Sequence, residues 1–158
     1  MYKRALVPLD GSMVAEAIVP FILEIAGPLD MEVALLRVVI PVPPIVMEGS
    51  RHVIVEDVEK IRKDAEEYLH SVAASLRGRG VRVTVHVRFG EPVAEILAGA
   101  REVGADLIAM TTHGRGGLGR LLFGSVAEAA LRQAEVPVFL MRQTKAQVAA
   151  RGAWEAIR

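Results

Sequence analysis

Val81-Arg82-Val83-Thr84-Val85-His86-Val87-Arg88-Phe89 leads into Gly90-Glu91-Pro92, a helical pattern from Val93, and then Asp106-Leu107-Ile108-Ala109-Met110-Thr111. The first nine residues alternate apolar with polar, the period of a strand with one wet face. Pro92 suits the first helical position, where its missing N–H costs nothing. Val93, Ile96, Leu97 and Ala100 then fall on one helical face. The run from Leu107 is apolar through Met110, as a strand covered on both sides must be. Strand, helix and strand within about thirty residues read as a βαβ unit, which implies a parallel sheet.

The same rhythm extends in both directions. Ala5–Leu9 is a short apolar run, punctuated by Asp10-Gly11-Ser12, with Ser12 placed as an N-cap. Ala15, Ile18, Val19, Ile22 and Leu23 share a helical face, and Pro20 inside that pattern predicts a kink or local break. Gly27-Pro28 closes this helix, and Val33–Val39 is a second apolar run. Pro41, Pro43 and Pro44 force an extended loop. Ile54, Val58, Ile61, Ala65, Tyr68, Leu69, Val72 and Leu76 recur at three and four residues, a long amphipathic helix ended by Gly78 and Gly80. Beyond the fourth strand a glycine-rich stretch runs from His113 to Gly124. Ser125-Val126-Ala127-Glu128 has capping-box spacing, and Pro137–Met141 is a fifth strand.

Strict alternation of five strands with helices predicts an α/β fold, a single-domain open five-stranded parallel sheet with helices on both faces. The first, second and fourth strands are apolar throughout and belong inside. The alternating third strand suits one edge, which leaves the fifth at the other and gives the order 3-2-1-4-5. The domain spans residues 1–142. Residues 143–158 form a C-terminal tail or loose helix.

The chain has 158 residues and 52% hydrophobic content, enough for one sizeable core. Nineteen basic residues balance nineteen acidic ones, so no overall basic surplus favours nucleic acid or an anionic membrane. The absence of cysteine excludes a disulfide framework, a thiol nucleophile and a cysteine zinc site. Mean hydropathy is +0.35, yet Glu16, Glu24 and Arg37 interrupt the apolar stretches before any reaches the roughly 20 residues of a spanning helix. The N-terminus meets Asp10 before a signal-peptide core could form. A soluble, cytoplasmic protein is the expectation.

Open α/β sheets bind ligands beyond the carboxyl ends of their strands, where strand order reverses. Asp10, the Val38–Ile40 segment and the Met110–Gly114 segment fall there. Gly114, Gly116, Gly117, Gly119 and Gly124 lie within eleven positions, and Ser125 then opens a helix. Glycines let backbone N–H groups approach an anion, and a helix N-terminus carries donors and partial positive charge. Arg115 and Arg120 add cations. The combination suits a polyphosphate; from the residues alone it equally describes a surface loop before a capped helix. The loop holds no lysine and ends Phe123-Gly124-Ser125, so the P-loop pattern is not met. Gly114-x-Gly116-x-x-Gly119 has dinucleotide spacing but stands six residues before the helix. The four histidines show no metal-ligand spacing, and only His113 adjoins the loop.

These residues resemble the universal stress protein family in its ATP-binding form. Val7-Pro8-Leu9-Asp10-Gly11-Ser12 is similar to the family's first-strand signature, and Gly104–Met110 to its fourth-strand lead-in. The family's Gly-x₂-Gly-x₉-Gly-Ser/Thr motif is matched by Gly114, nine residues, and Gly124-Ser125, whereas its first glycine falls on Thr111. Val136-Pro137-Val138 matches the last strand. The resemblance implies ATP as cofactor, with Mg²⁺. It places Pro8, Asp10 and Val38 at the adenosine, and Met110, Thr111, Gly114, Arg115, Gly124, Ser125 and Val126 around ribose and phosphates. A side chain at Thr111 is expected to crowd or redirect the nucleotide.

The function implied is a homodimeric, nucleotide-dependent signalling module of the stress response, acting on a protein partner. Two alternatives stay open: a slow ATP hydrolase or adenylyl-transfer enzyme, for which Asp10 is the one candidate acid, and an interaction module without nucleotide, for which Thr111 speaks. Val138, Phe139, Leu140 and Met141 form an apolar edge strand without the inward charge that guards such edges, so two copies are expected to pair there.

Overall fold

The computed structural model describes residues 1–41, 54–112 and 125–142. Its elements are β1 (Arg4–Pro8), α1 (Met13–Glu16), α2 (Ile18–Ala26), β2 (Glu32–Val39), α3 (Ile54–Arg77), β3 (Val83–Phe89), α4 (Pro92–Val103), β4 (Leu107–Thr112), α5 (Ser125–Gln133) and β5 (Val138–Arg142). All five strands are parallel, in the order β3-β2-β1-β4-β5. The register sets Val7 against Leu35, Leu6 against Ile108, Leu35 against Val85, and Met110 against Leu140. The alternating strand is indeed an edge.

Side chains alternate across the sheet and build two cores. Ala5, Val7, Val33, Leu35, Leu107 and Ala109 point to α2 and α3, where Ile18, Ile22, Leu69, Val72 and Leu76 meet them. Leu6, Ala34, Leu36, Ile108 and Met110 point to α4 and α5, against Ile96, Ala100, Ala127 and Ala130. α4 comes close because position 99 is glycine: a Cβ there would lie 3.2 Å from a Leu36 methyl.

The helix boundaries follow local chemistry. Ser12 caps α1, its hydroxyl accepting from Ala15 N–H at 3.1 Å. The break expected near Pro20 falls at Ala17, between α1 and α2. Proline lacks the N–H that would bond the carbonyl four residues back, and its ring crowds that carbonyl. The damage is therefore N-terminal to the proline, around Glu16 and Ala17. Pro92 occupies the first turn of α4, and Gly104 ends it in the left-handed conformation, at φ 64°. Glu128 pairs with Arg132 (2.5 Å), one turn along α5.

At the amino end of the sheet, Asp106 accepts the backbone N–H groups of Lys3 (2.8 Å) and Arg4 (3.0 Å). Burial raises its pKa, but these backbone donors and the positive N-terminus outweigh that, so the carboxyl sits below its ordinary value.

Candidate functional site

The chain crosses from one half of the sheet to the other between β1 and β4, and the strand order reverses there. At the carboxyl end of this junction lies a crevice of about 310 Å³. Its size is at the low end for small-molecule sites, which run from about 300 to 1,000 Å³. β1 contributes Pro8 and leads to Leu9 and Asp10; β2 contributes Leu36 and Val38 and leads to Ile40; β4 contributes Met110 and Thr111. Pro92 and Ile96 of α4 form one wall, and Ser125, Val126 and Ala127 of α5 the other.

Seven expected site residues are thus brought together: Pro8, Asp10, Val38, Met110, Thr111, Ser125 and Val126. Gly114, Arg115 and Gly124 lie outside the described residues, as does the tail from residue 143. Pro92, Ile96 and Ala15 were not expected, whereas Ile40 belongs to the Val38–Ile40 segment placed there from the sequence. The signal for the first two was available. Pro92 begins the helix immediately after β3, and Ile96 lies one turn on, so both face the carboxyl edge of β2.

The turn at Asp10 is fixed from three sides. Asp10 Oδ1 accepts Ser12 N–H at 2.8 Å, an Asx turn. Leu9 N–H donates to Leu36 O at 2.8 Å, extending the β1–β2 ladder by one bond. Gly11 takes φ +81°, and a Cβ on it would stand 2.6 Å from Arg37 Nη1. The Arg37 guanidinium lies under the turn, 5.6 Å from the centre of the Tyr68 ring, with Nε and Nη1 buried and without a hydrogen-bond partner among the described residues. Tyr68 in turn donates to Glu16 Oε1 at 2.9 Å.

Thr111 lines the crevice. It is buried, and its hydroxyl donates to the Ala15 carbonyl at 3.4 Å, so it is turned toward α1.

Two helix N-termini meet this crevice, and they differ. In α4, Pro92 has no N–H, Glu91 Oε1 accepts Val93 N–H (3.1 Å), Oε2 accepts Ala94 N–H (2.7 Å), and Glu95 N–H bonds Glu91 O (3.0 Å). That end is saturated and carries a carboxylate. α5 begins at Ser125, and first-turn N–H groups have no partner inside their own helix. An anionic group is therefore favoured at α5, and an apolar or neutral one between Val38, Ile40, Pro92 and Ile96.

Among the described residues that line the crevice Asp10 is the one carboxylate, with Glu91 standing beside the crevice at the start of α4. Among the described residues no cluster of three or more His, Asp or Glu could hold a metal, and no helix is long and apolar enough to cross a membrane.

Against known proteins, the universal stress protein family model matches residues 1–142. Universal stress protein MJ0531 of Methanocaldococcus jannaschii is 35% identical over 148 residues, covering 92% of this chain and 85% of that protein. The solved structure of MJ0577, from the same organism, superposes with a TM-score of 0.71 at 26% identity, covering 92% of this chain and 99% of that one. An Arabidopsis thaliana family protein solved with AMP bound superposes with a TM-score of 0.65 at 19% identity, covering 92% and 94%. At that identity the likeness concerns the fold.

Proposed function

Since the chain belongs to the universal stress protein family, we propose that its crevice binds ATP and that the nucleotide state is signalled to a protein partner in the cytoplasm. The observation that carries this reading is the polarity of the crevice. An apolar slot between Val38, Ile40, Pro92 and Ile96 suits a purine, and the N-terminal turn of α5, whose first N–H groups have no partner within their own helix, suits phosphates. Met110 and Asp10, between the two, would meet the ribose, and Mg²⁺ would come with the triphosphate. Among the described lining residues the crevice supplies Asp10 alone as a carboxylate, and the reading is therefore of a binding module and not of a fast hydrolase.

Calorimetry with ATP, GTP and NAD tests the reading, with acid release of any co-purified nucleotide. ATP is expected to bind more tightly than the other two, and Gly124→Val to abolish binding while the fold is kept. ATP that gives no heat at millimolar concentration refutes the proposal. ATP and Mg²⁺ followed over time, with Asp10→Asn as control, is expected to show no turnover in the usual enzyme range of roughly 1–10³ s⁻¹.

We also propose a homodimer through Val138, Phe139, Leu140 and Met141. Charge substitutions at Phe139 or Met141 would strike the fold itself, because the Phe139 ring stacks on Phe21 (4.5 Å, 1° between planes) and Met141 is buried. The backbone is the better target. Ile108 N–H bonds Pro137 O, so in a parallel ladder the N–H groups of Phe139 and Met141 face β4, and those of Val138 and Leu140 face outward. Leu140→Pro removes one outward donor and no ladder bond. Sedimentation at tens of micromolar is expected to show a wild-type dimer and a folded Leu140→Pro monomer. A wild-type monomer refutes the dimer.

A further inference from the structure

α1 is four residues long, and its inner side borders the crevice through Ala15 while its outer side carries Met13, 57% exposed. Its local bonds are few: Ser12 Oγ accepts Ala15 N–H, Ser12 O accepts Glu16 N–H and Val14 O accepts Ala17 N–H, and a single helical turn is not stable by itself. Pro20 prevents α1 and α2 from joining into one helix. α1 therefore depends on contacts from elsewhere, and one of them comes from the floor of the crevice. The Thr111 hydroxyl, at the carboxyl end of β4, donates to the Ala15 carbonyl (3.4 Å), a span of 96 residues along the chain. Thr111 is buried and its backbone pairs in register with Met141 of β5. It is therefore a rigid anchor, and α1 is the element it steadies.

We propose that Thr111 is a positioning residue of the nucleotide crevice, its hydroxyl bracing α1 and the adjoining Asp10 turn against β4. The proposal rests on the nucleotide reading for its effect on affinity, but the brace itself does not. Asp10 and Ala15 both line the crevice, so a ligand meets them already ordered when the brace is present. The residue at the position where the family motif has glycine thus works as a support for the site. An obstacle at the same position would have the opposite effect on affinity, which makes the two separable by sign.

The test compares wild type with Thr111→Ser, which keeps the hydroxyl, Thr111→Val, which keeps the shape, and Thr111→Ala, which removes both. With ATP in calorimetry, Thr111→Ser is expected to bind within about twofold of wild type. Thr111→Val and Thr111→Ala are expected to bind about three- to tenfold more weakly, the factor one neutral hydrogen bond carries. Amide exchange without nucleotide reads the brace directly: residues 10–17 should exchange faster in Thr111→Val than in wild type or Thr111→Ser, with β1 and β2 unchanged. Tighter ATP binding by Thr111→Ala overturns the proposal in favour of an obstacle. Exchange in residues 10–17 that is equal in all four proteins overturns the brace. If wild type binds no ATP, the nucleotide reading fails, and the exchange comparison still decides the brace.

Discussion

The contrast between the two helix starts at the crevice depends on the exposed Glu91 carboxylate, and Glu91→Ala removes it. Glu91 accepts two first-turn amides of α4, Val93 N–H at 3.1 Å and Ala94 N–H at 2.7 Å. Loss of an N-cap side chain costs about 0.5–2 kcal/mol. Two amides on a charged acceptor argue for the upper half of that range. The site is exposed, so water can take up the freed amides, which keeps the cost below the roughly 3 kcal/mol of a buried orphan. We expect a loss of about 1.5 kcal/mol. At this chain length that lowers Tm by about 3–6 °C. Glu91→Gln, with one neutral acceptor oxygen, should lose about half as much. Urea denaturation followed by circular dichroism is the assay, read as a shift of midpoint at constant slope. A Glu91→Ala protein within about 0.3 kcal/mol of wild type would refute the reasoning: the carboxylate would then be solvated, the α4 amides free, and the two ends of the crevice equally able to take phosphate.

Three other outcomes are expected. Gly11→Ala should destabilise by about 1–2 kcal/mol in thermal melts, through positive φ and the approach to Arg37 Nη1, and adding Arg37→Met should recover the part due to the contact. Gly99→Val should cost about 1–3 kcal/mol by overpacking α4 against Leu36, whereas Gly99→Ala should be nearly neutral, since helix propensity offsets the tight 3.2 Å contact. Asp106 has a lowered folded-state pKa, so the unfolded chain binds the proton first; its stabilisation is present above the ordinary aspartate value of 3.8 and is lost as pH falls through the folded value. Denaturant midpoints between pH 7 and 3 should therefore fall less steeply in Asp106→Asn than in wild type.

The fold was legible because its signals are short-range and redundant. Period-two alternation in residues 81–89 marked an edge strand, and unbroken apolar runs marked the inner ones. Their differences in burial need no tertiary knowledge. Boundaries shifted by a residue: β1 is Arg4–Pro8 where Ala5–Leu9 was expected, and β5 ends at Arg142. Hydrogen bonding sets those ends, and polarity does not. Arg4 belongs to β1 since it pairs with Glu32 across the ladder, through its backbone register and its side chain (3.0 Å). The crevice was legible where it is made of strand ends and helix starts. At Pro92 and Ile96 the signal, a helix start directly after β3 and the residue one turn on, was masked by their roles as first-turn and core residues. The direction of the Thr111 side chain was also hidden. Its partner, the Ala15 carbonyl, is defined by a helix break that the sequence located only to within a few residues.

The two sheet edges explain why the proposed pairing falls on β5 and not on β3. Both strands expose a row of unpaired backbone groups, the usual invitation to a second chain. Around β3, charge stands guard. Arg82 reaches Asp30 at 3.3 Å, and Arg88 is held between Glu95 at 2.6 Å and Glu102. Glu95 chiefly, through its hydrogen bond, raises the Arg88 pKa despite burial. A strand added there would have to desolvate these pairs, and breaking into a partly buried ion pair costs more than an exposed one returns. On β5 the charged residue is Arg142, at the strand's last position, and the four before it are apolar. Three of those four remain partly exposed in the single chain, although Phe139 already stacks on Phe21. A second copy can cover them without stranding a charge, and its own β5 presents the same outward N–H and carbonyl pattern about a two-fold axis. The sheet would then continue across the axis, with β4 one strand away from it on each side. Thr111 and Met110 sit on β4, so the floor of each crevice would lie close to the partner, which offers a route by which nucleotide state could be felt between copies.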